Sequence, residues 1–171
     1  MTAFVALVRA VNLGAGSILP SEELRRIGAA CGFGDVRTFI ASGNLLFTTD
    51  GDEAEVADRV RNGVEAHLGK PALVLVRSAA EMAAVASADP FPDDPGNRVI
   101  AFFMATAATQ AMIDAATGVT VERMALGRRE IIIAYDEGMG DSKLKLPVFK
   151  TGTGRNMNSV AKMAALLAGM E

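Results

Sequence analysis

What most constrains this chain is the order in which apolar runs and amphipathic stretches succeed one another over residues 1–78. Ala3 to Arg9 is a continuous apolar run with β-branched members, the pattern of a strand covered on both faces. The loop Ala10 to Leu19 carries Asn12, Gly14, Gly16 and Ser17 and ends at Pro20-Ser21-Glu22-Glu23. Ser21 is expected to cap a helix with acids in its first turn, and Leu24, Ile27 and Cys31 follow at helical spacing until Gly32 and Gly34 stop it. Val36 to Ala41 and Leu45 to Thr49 read as strands, joined by Ser42-Gly43-Asn44, where Gly and Asn tolerate the positive φ of a tight hairpin. Val56, Val60, Val64 and Leu68 recur at four-residue intervals in a helix over 52–68 ended by Gly69, and Ala72 to Arg77 returns to strand. The order β-α-β-β-α-β is the split βαβ pattern of ferredoxin-like α+β domains.

A short helix over 78–87 leads into Asp89-Pro90-Phe91-Pro92-Asp93-Asp94-Pro95-Gly96-Asn97, the one stretch rich enough in Pro, Asp and Gly to mark a boundary. Beyond it come a strand at Val99 to Ala105, a helix near 108–116, strands near 120–126 and 130–135, and a last helix with Val160, Met163, Ala164 and Leu167 on one face. This second βαββα series echoes the first without its final strand. The expected architecture is two ferredoxin-like subdomains, 1–78 and 98–171, joined by a helix and linker over 79–97.

Half the residues are hydrophobic, yet aromatics are few and Trp is absent, so the core must be aliphatic. The single cysteine, Cys31, cannot form an internal disulfide, and Met1-Thr2-Ala3-Phe4 lacks the basic start of a secretory leader, which together imply a reducing, cytoplasmic setting. The longest apolar runs are of strand length, so no membrane span is expected. His67 stands alone, late in an amphipathic helix, which leaves no expected metal or cofactor; Asp89, Asp93 and Asp94 do not follow a calcium-loop spacing. Gly32-Phe33-Gly34 follows a helix instead of opening one, so it is no dinucleotide fingerprint.

Two stretches have the makeup of a binding site. In Lys150-Thr151-Gly152-Thr153-Gly154-Arg155-Asn156-Met157-Asn158-Ser159, small residues, a helix start and a guanidinium coincide. There Gly152 and Gly154 could aim backbone amides at a phosphate or carboxylate while Arg155, Asn156 and Asn158 supply further donors. The alternative is structural: a glycine turn, an Asn cap and an Arg paired within the body. Arg9, Asn12 and Gly14 leave the end of the first strand, where they could gather a ligand or satisfy a turn and an ion pair. Charge supports a local anion over a polyanion: over 138–162 five cations face the single anion Asp141, a net +4 on a chain of net −3. That balance disfavours nucleic acid, and Phe4 and Phe47 read as core instead of the base-stacking platform of an RNA-recognition module.

The blocks Leu7-Val8-Arg9-Ala10-Val11-Asn12-Leu13-Gly14, Val36-Arg37-Thr38-Phe39-Ile40-Ala41-Ser42-Gly43-Asn44-Leu45-Leu46-Phe47 and Thr153-Gly154-Arg155-Asn156-Met157-Asn158-Ser159-Val160 resemble, in this order, domain-of-unknown-function family 1697. Ala10 stands where members commonly carry Gly, and Met157 where they commonly carry Trp. The resemblance implies an α+β protein of two related subdomains and supplies no established reaction. The expectation is a protein that binds a small anionic, phosphate-bearing ligand, a nucleotide among the candidates. Its alternatives are a structural or interaction module able to form homo-oligomers, and an RNA-binding module; whether it is an enzyme stays open.

Overall fold

The computed structural model describes residues 1–9, 19–40 and 43–171. Two four-stranded antiparallel sheets form, each carrying helices, and the chain divides into two compact units, Met1–Met82 with Met163–Glu171, and Ala83–Lys162. The expected subdomain 98–171 is thus shared: its last residues group with the first unit, where the Glu171 carboxylate accepts the Ala3 N–H at 3.1 Å.

In the first unit, β1 (Thr2–Val8), α1 (Ser21–Ala30), β2 (Gly34–Thr38), β3 (Asn44–Thr49), α2 (Glu53–Leu68), β4 (Val74–Ser78) and α3 (Ala79–Ser87) follow in that order, with sheet order β2-β3-β1-β4. The helix α2 matches its sequence signals. The Asp52 carboxylate accepts the Glu55 N–H at 2.9 Å, Val56, Val60 and Val64 are fully buried, and Gly69 ends the helix at φ 70°. Phe4 and Phe47 lie in the core with Val56, Val60 and Val64, and Phe47 stacks on Phe33 with centroids 4.2 Å apart, so neither ring is open to a base. Strand β4 begins at Val74 instead of Ala72, and two further boundaries move for a local reason. Pro20, held extended at φ −66° and ψ 151°, occupies the cap position, making Ser21 the first helical residue instead of the cap. Strand β2 ends at Thr38 instead of Ala41, because the chain leaves the extended region at Ile40, φ 47°.

The second unit repeats the plan: β5 (Val99–Met104), the short α4 (Gln110–Asp114), β6 (Arg123–Leu126), β7 (Glu130–Ala134) and β8 (Gly152–Asn156), with sheet order β6-β7-β5-β8, followed by α5 (Met157–Ala168), which starts in this unit and whose residues from Met163 on group with the first. The order is that of the first sheet, strand for strand. The final strand expected to be missing is present, and it is the glycine-rich tail itself: Gly152, Gly154 and Asn156 pair with Met104, Phe102 and Ile100. The tail's glycines are explained by packing. A Cβ on Gly152 would lie 2.5 Å from the Phe102 ring and 2.3 Å from the Phe103 carbonyl oxygen, and one on Gly154 would lie 2.9 Å from Ile100. In the first unit the matching positions hold the reverse sizes, with Ala6 on the central strand opposite Val76 and next to Val74. No α-helix stands where α2 does; the segment between β7 and β8, which includes a 3-10 helix over Pro147–Thr151, packs Leu144, Leu146, Val148 and Phe149 on Ile100, Phe102 and Ile133 instead. That segment is pinned at Glu122, whose carboxylate accepts the Ser142 hydroxyl at 2.6 Å and the Thr120 N–H at 2.8 Å. Those bonds hold the Glu122 carboxyl down at about 2.

Candidate functional site at the end of the first sheet

Arg9 follows β1 directly, and its N–H donates to the Leu73 carbonyl at 3.0 Å, just before β4 begins. One residue earlier, the Val8 N–H donates to Gly43 O at 2.8 Å, which stitches the β2–β3 hairpin tip to the end of β1. Gly43 is required there: it sits at φ 76°, and a Cβ would lie 2.5 Å from the Val8 carbonyl oxygen. Asn44, fully buried, donates from Nδ2 to the Phe39 carbonyl at 3.0 Å, while the Phe39 N–H donates to Asn44 O at 3.1 Å, so the tip is braced from both sides. Arg25 in α1 reaches the same hairpin, donating from Nη1 to Thr38 Oγ1 at 2.9 Å. The end of β1, the hairpin tip and the first half of α1 therefore converge. Two of the three sequence blocks, the one around Arg9 and the one around Phe39 to Asn44, meet at this end of the sheet. Of the expected site residues Arg9 falls here; Asn12 and Gly14, and Ser42 of the hairpin, lie outside the described residues.

Sequence reasoning missed Ile40. It is 53% exposed and held at φ 47°, a region that β-branched residues rarely enter. The available signal was the mismatch between an Ile with strand propensity and the adjacent Ser-Gly-Asn turn.

The tail residues Gly152, Gly154, Arg155, Asn156 and Asn158 belong to the second unit. The open loop expected there is corrected to strand β8, whose pairing with β5 takes up backbone groups that a ligand was expected to meet. Arg155 is 8% exposed and donates from Nη1 to Thr153 Oγ1 at 2.6 Å and to Gly154 O at 2.9 Å. Burial pushes its guanidinium down to about 10, which leaves it charged at neutral pH. Asn156 caps α5, its Oδ1 accepting the Ser159 N–H at 2.9 Å. Exposed Asn158 lies against the chain at Gly96, where a Cβ would come 2.1 Å from its Oδ1. Met157 is buried at the start of α5.

His67 ends α2 with Nδ1 3.3 Å from Glu23, and Cys31 is half-buried against the core, which raises its thiol above the ordinary range by desolvation. Both line a groove of about 500 Å³ between α1 and α2 with Arg26 and Gly63. Among the described residues no group of three or more His, Cys, Asp or Glu side chains could hold a metal ion, and no helix is long and apolar enough to cross a membrane.

The architecture is that of an α+β protein with two ferredoxin-like units. The family model described as a protein of unknown function (DUF1697) matches residues 1–131, and the chain belongs to that family. The match spans the two blocks that meet at the end of β1; the tail block lies beyond it. Among solved structures, the conserved bacterial protein SP0830 from Streptococcus pneumoniae is similar over 97% of this chain and 98% of that one, with 20% identity and a TM-score of 0.80. At that identity the likeness concerns the fold. No curated protein matches.

Proposed function

We propose that the protein binds a small anionic, phosphate-bearing ligand at the end of the first sheet, with Arg9 as the cation that receives it. The observation that supports this most is the convergence at Arg9 of the β2–β3 hairpin, pinned through Val8 and Gly43, and the start of β4, held through Leu73. A guanidinium at a strand end, set on a rigid sheet and bordered by loops, is suited to recognising a phosphate by paired N–H donors. The tail contributes through the fold, since β8 completes the second sheet and Asn156 caps α5. A thermal-shift panel of nucleotides and phosphorylated metabolites tests the reading. A ligand at a hundredfold excess over its Kd should stabilise the chain by about 2.7 kcal/mol, and Arg9→Ala should remove that shift. Absence of any shift across the panel, or a shift that survives Arg9→Ala, argues against it.

A second reading, an interaction module, is supported by Val119, Val121 and Leu126, exposed at 46, 39 and 43% in and just ahead of edge strand β6. Sedimentation across a wide concentration range separates the two: self-association weakened by Leu126→Lys supports the module, and a strict monomer removes its homo-oligomeric form.

A further inference from the structure

The two sheets carry outer strands of opposite character at the same place in their order, β2 in the first and β6 in the second. Strand β2 is guarded: its register with β3 shifts between Gly34 and Arg37, and Arg37 is tied to Asp35 at 2.7 Å. A bulge and charges of this kind keep an edge from accepting another strand. Strand β6 has no such bulge. It runs in unbroken register from Arg123 opposite Ala134 to Leu126 opposite Ile131, Leu126 is exposed, and its one charge, Arg123, is turned onto Asp94, Asp136 and the Phe91 ring. The ladder shows which backbone groups β6 leaves over. The Gly127 N–H donates to Glu130 O at 2.7 Å, and antiparallel pairs alternate, so Ala125 and Arg123 bond toward β7 while Met124 and Leu126 turn their N–H and C=O outward. Among the described residues no backbone hydrogen bond takes up these outward groups. The two ends of β6 also differ in charge. Ahead of the strand, Glu122, Asp136, Glu137 and Asp141 line one hollow, and past it the hairpin exposes Arg128. Asp136 is spent on Arg123, which leaves three carboxylates at one end and a guanidinium at the other.

We propose that β6 pairs antiparallel with β6 of a second copy of this chain, about a two-fold axis through Ala125, so that the second sheets of two copies join edge to edge. This rests on the interaction-module reading of β6 and adds to it the partner and the register. A strand that pairs antiparallel with its own copy brings the basic end of each against the acidic end of the other, whereas an unrelated peptide would have to match both ends separately. With Ala125 on the axis, Met124 of each copy lies opposite Leu126 of the other, which pairs the outward N–H and C=O groups and sets the apolar side chains together. Glu122 then stands opposite Arg128. An axis through Met124 would instead set Glu122 against Leu126 and Thr120 against Arg128, losing the charge match.

The full chain and Arg128→Glu are sedimented across a wide concentration range at low and high salt. The wild type should self-associate, less so at high salt, and Arg128→Glu should raise the dissociation constant by about tenfold or more. The register is read by cross-linking, with Cys31→Ala removing the native thiol. Ala125→Cys in that background should form a disulfide with its own counterpart under mild oxidation, because facing Cα atoms at a non-hydrogen-bonded antiparallel position lie about 4.5 Å apart, within disulfide reach. Adding Arg128→Glu to the same chain should slow that cross-link by about the same factor as it weakens association. Self-association that ignores Arg128→Glu, or an associating chain whose Ala125→Cys form does not cross-link, overturns the pairing and leaves the interaction-module reading standing. A strict monomer overturns the pairing and the homo-oligomeric reading together.

Discussion

In the first unit the central strand places small Ala6 opposite Val76 and next to Val74; in the second, large Phe102 faces Gly154, with Gly152 beside it. The strand order is the same and the distribution of volume is inverted. A sheet face needs a filled volume, and which strand supplies it is free, so long as the neighbours give way. The same holds one layer out. Four-residue spacing of Val56, Val60 and Val64 on α2 covers the first sheet, whereas the stretch between β7 and β8, with Leu144 and Leu146 ahead of a 3-10 helix holding Val148 and Phe149, covers the second. The units differ again at the hairpin beside Arg9, and that is where binding is proposed.

The largest effects should come from the inverted packing. Phe102→Ala should cost about 3–5 kcal/mol in urea unfolding, as a large buried side chain is lost. Gly152→Ala should cost up to about 3 kcal/mol by overpacking. In the Phe102→Ala background that second cost should shrink by about 1 kcal/mol without vanishing, because the Phe103 carbonyl oxygen still stands 2.3 Å from the new Cβ. Strict additivity would show that the ring is not what requires the glycine.

The paired hairpins give the next contrast. Gly43→Ala meets both a positive φ and the Val8 carbonyl and should lose about 2–3 kcal/mol. Gly127→Ala, at ordinary φ with its nearest contacts at 3.2 Å, should lose less than about 1 kcal/mol. Equal losses would remove the distinction between the two tips.

The caps of the trailing helices should, by contrast, behave alike. Ser78 Oγ accepts the Glu81 N–H at 3.2 Å and Asn156 Oδ1 accepts the Ser159 N–H at 2.9 Å, each at the last residue of its unit's fourth strand. Ser78→Ala and Asn156→Ala should each cost about 1 kcal/mol. Unequal values would sharpen the comparison by showing which helix depends more on its cap.

A pH dependence gives a further contrast, through Glu122 of the second unit. Glu122 is held at about 2 by the Ser142 hydroxyl and the Thr120 N–H, below its ordinary 4.5. A depressed carboxyl stabilises the fold fully above its unfolded value and loses that contribution as pH falls through the folded one. Stability should therefore decline from about pH 4.5 toward pH 2. Ser142→Ala should flatten that slope, and an unchanged slope in acid unfolding curves would assign it to other carboxylates.

The legible parts of the fold were those with local causes. The α2 helix carries its own cap at Asp52, its apolar spacing and its stop at Gly69, all within one stretch. β8 was illegible because Gly152-Thr153-Gly154 has no apolar side chain to mark a strand; its identity comes from pairing with β5, some fifty residues earlier, and from the Phe102 ring that fills the space beside it. Arg9 could be read as a candidate because a strand visibly ends there. Ile40 could not, since its intrinsic preference is for strand, and only the bonds joining Phe39, Asn44, Gly43 and Val8 bend the chain through φ 47° at that residue.

Apolar spacing, glycine stops and charge patterning were enough by themselves to set the α+β class, the doubling of the ferredoxin-like plan and most helix limits, because these are read within a few residues. Tertiary structure alone decided that the glycine tail is a strand, that Arg155 is buried, and that the hairpin tip lies against the end of β1. Each of those outcomes depends on volume and hydrogen bonds supplied by residues remote in the chain, and short-range pattern carries no record of them.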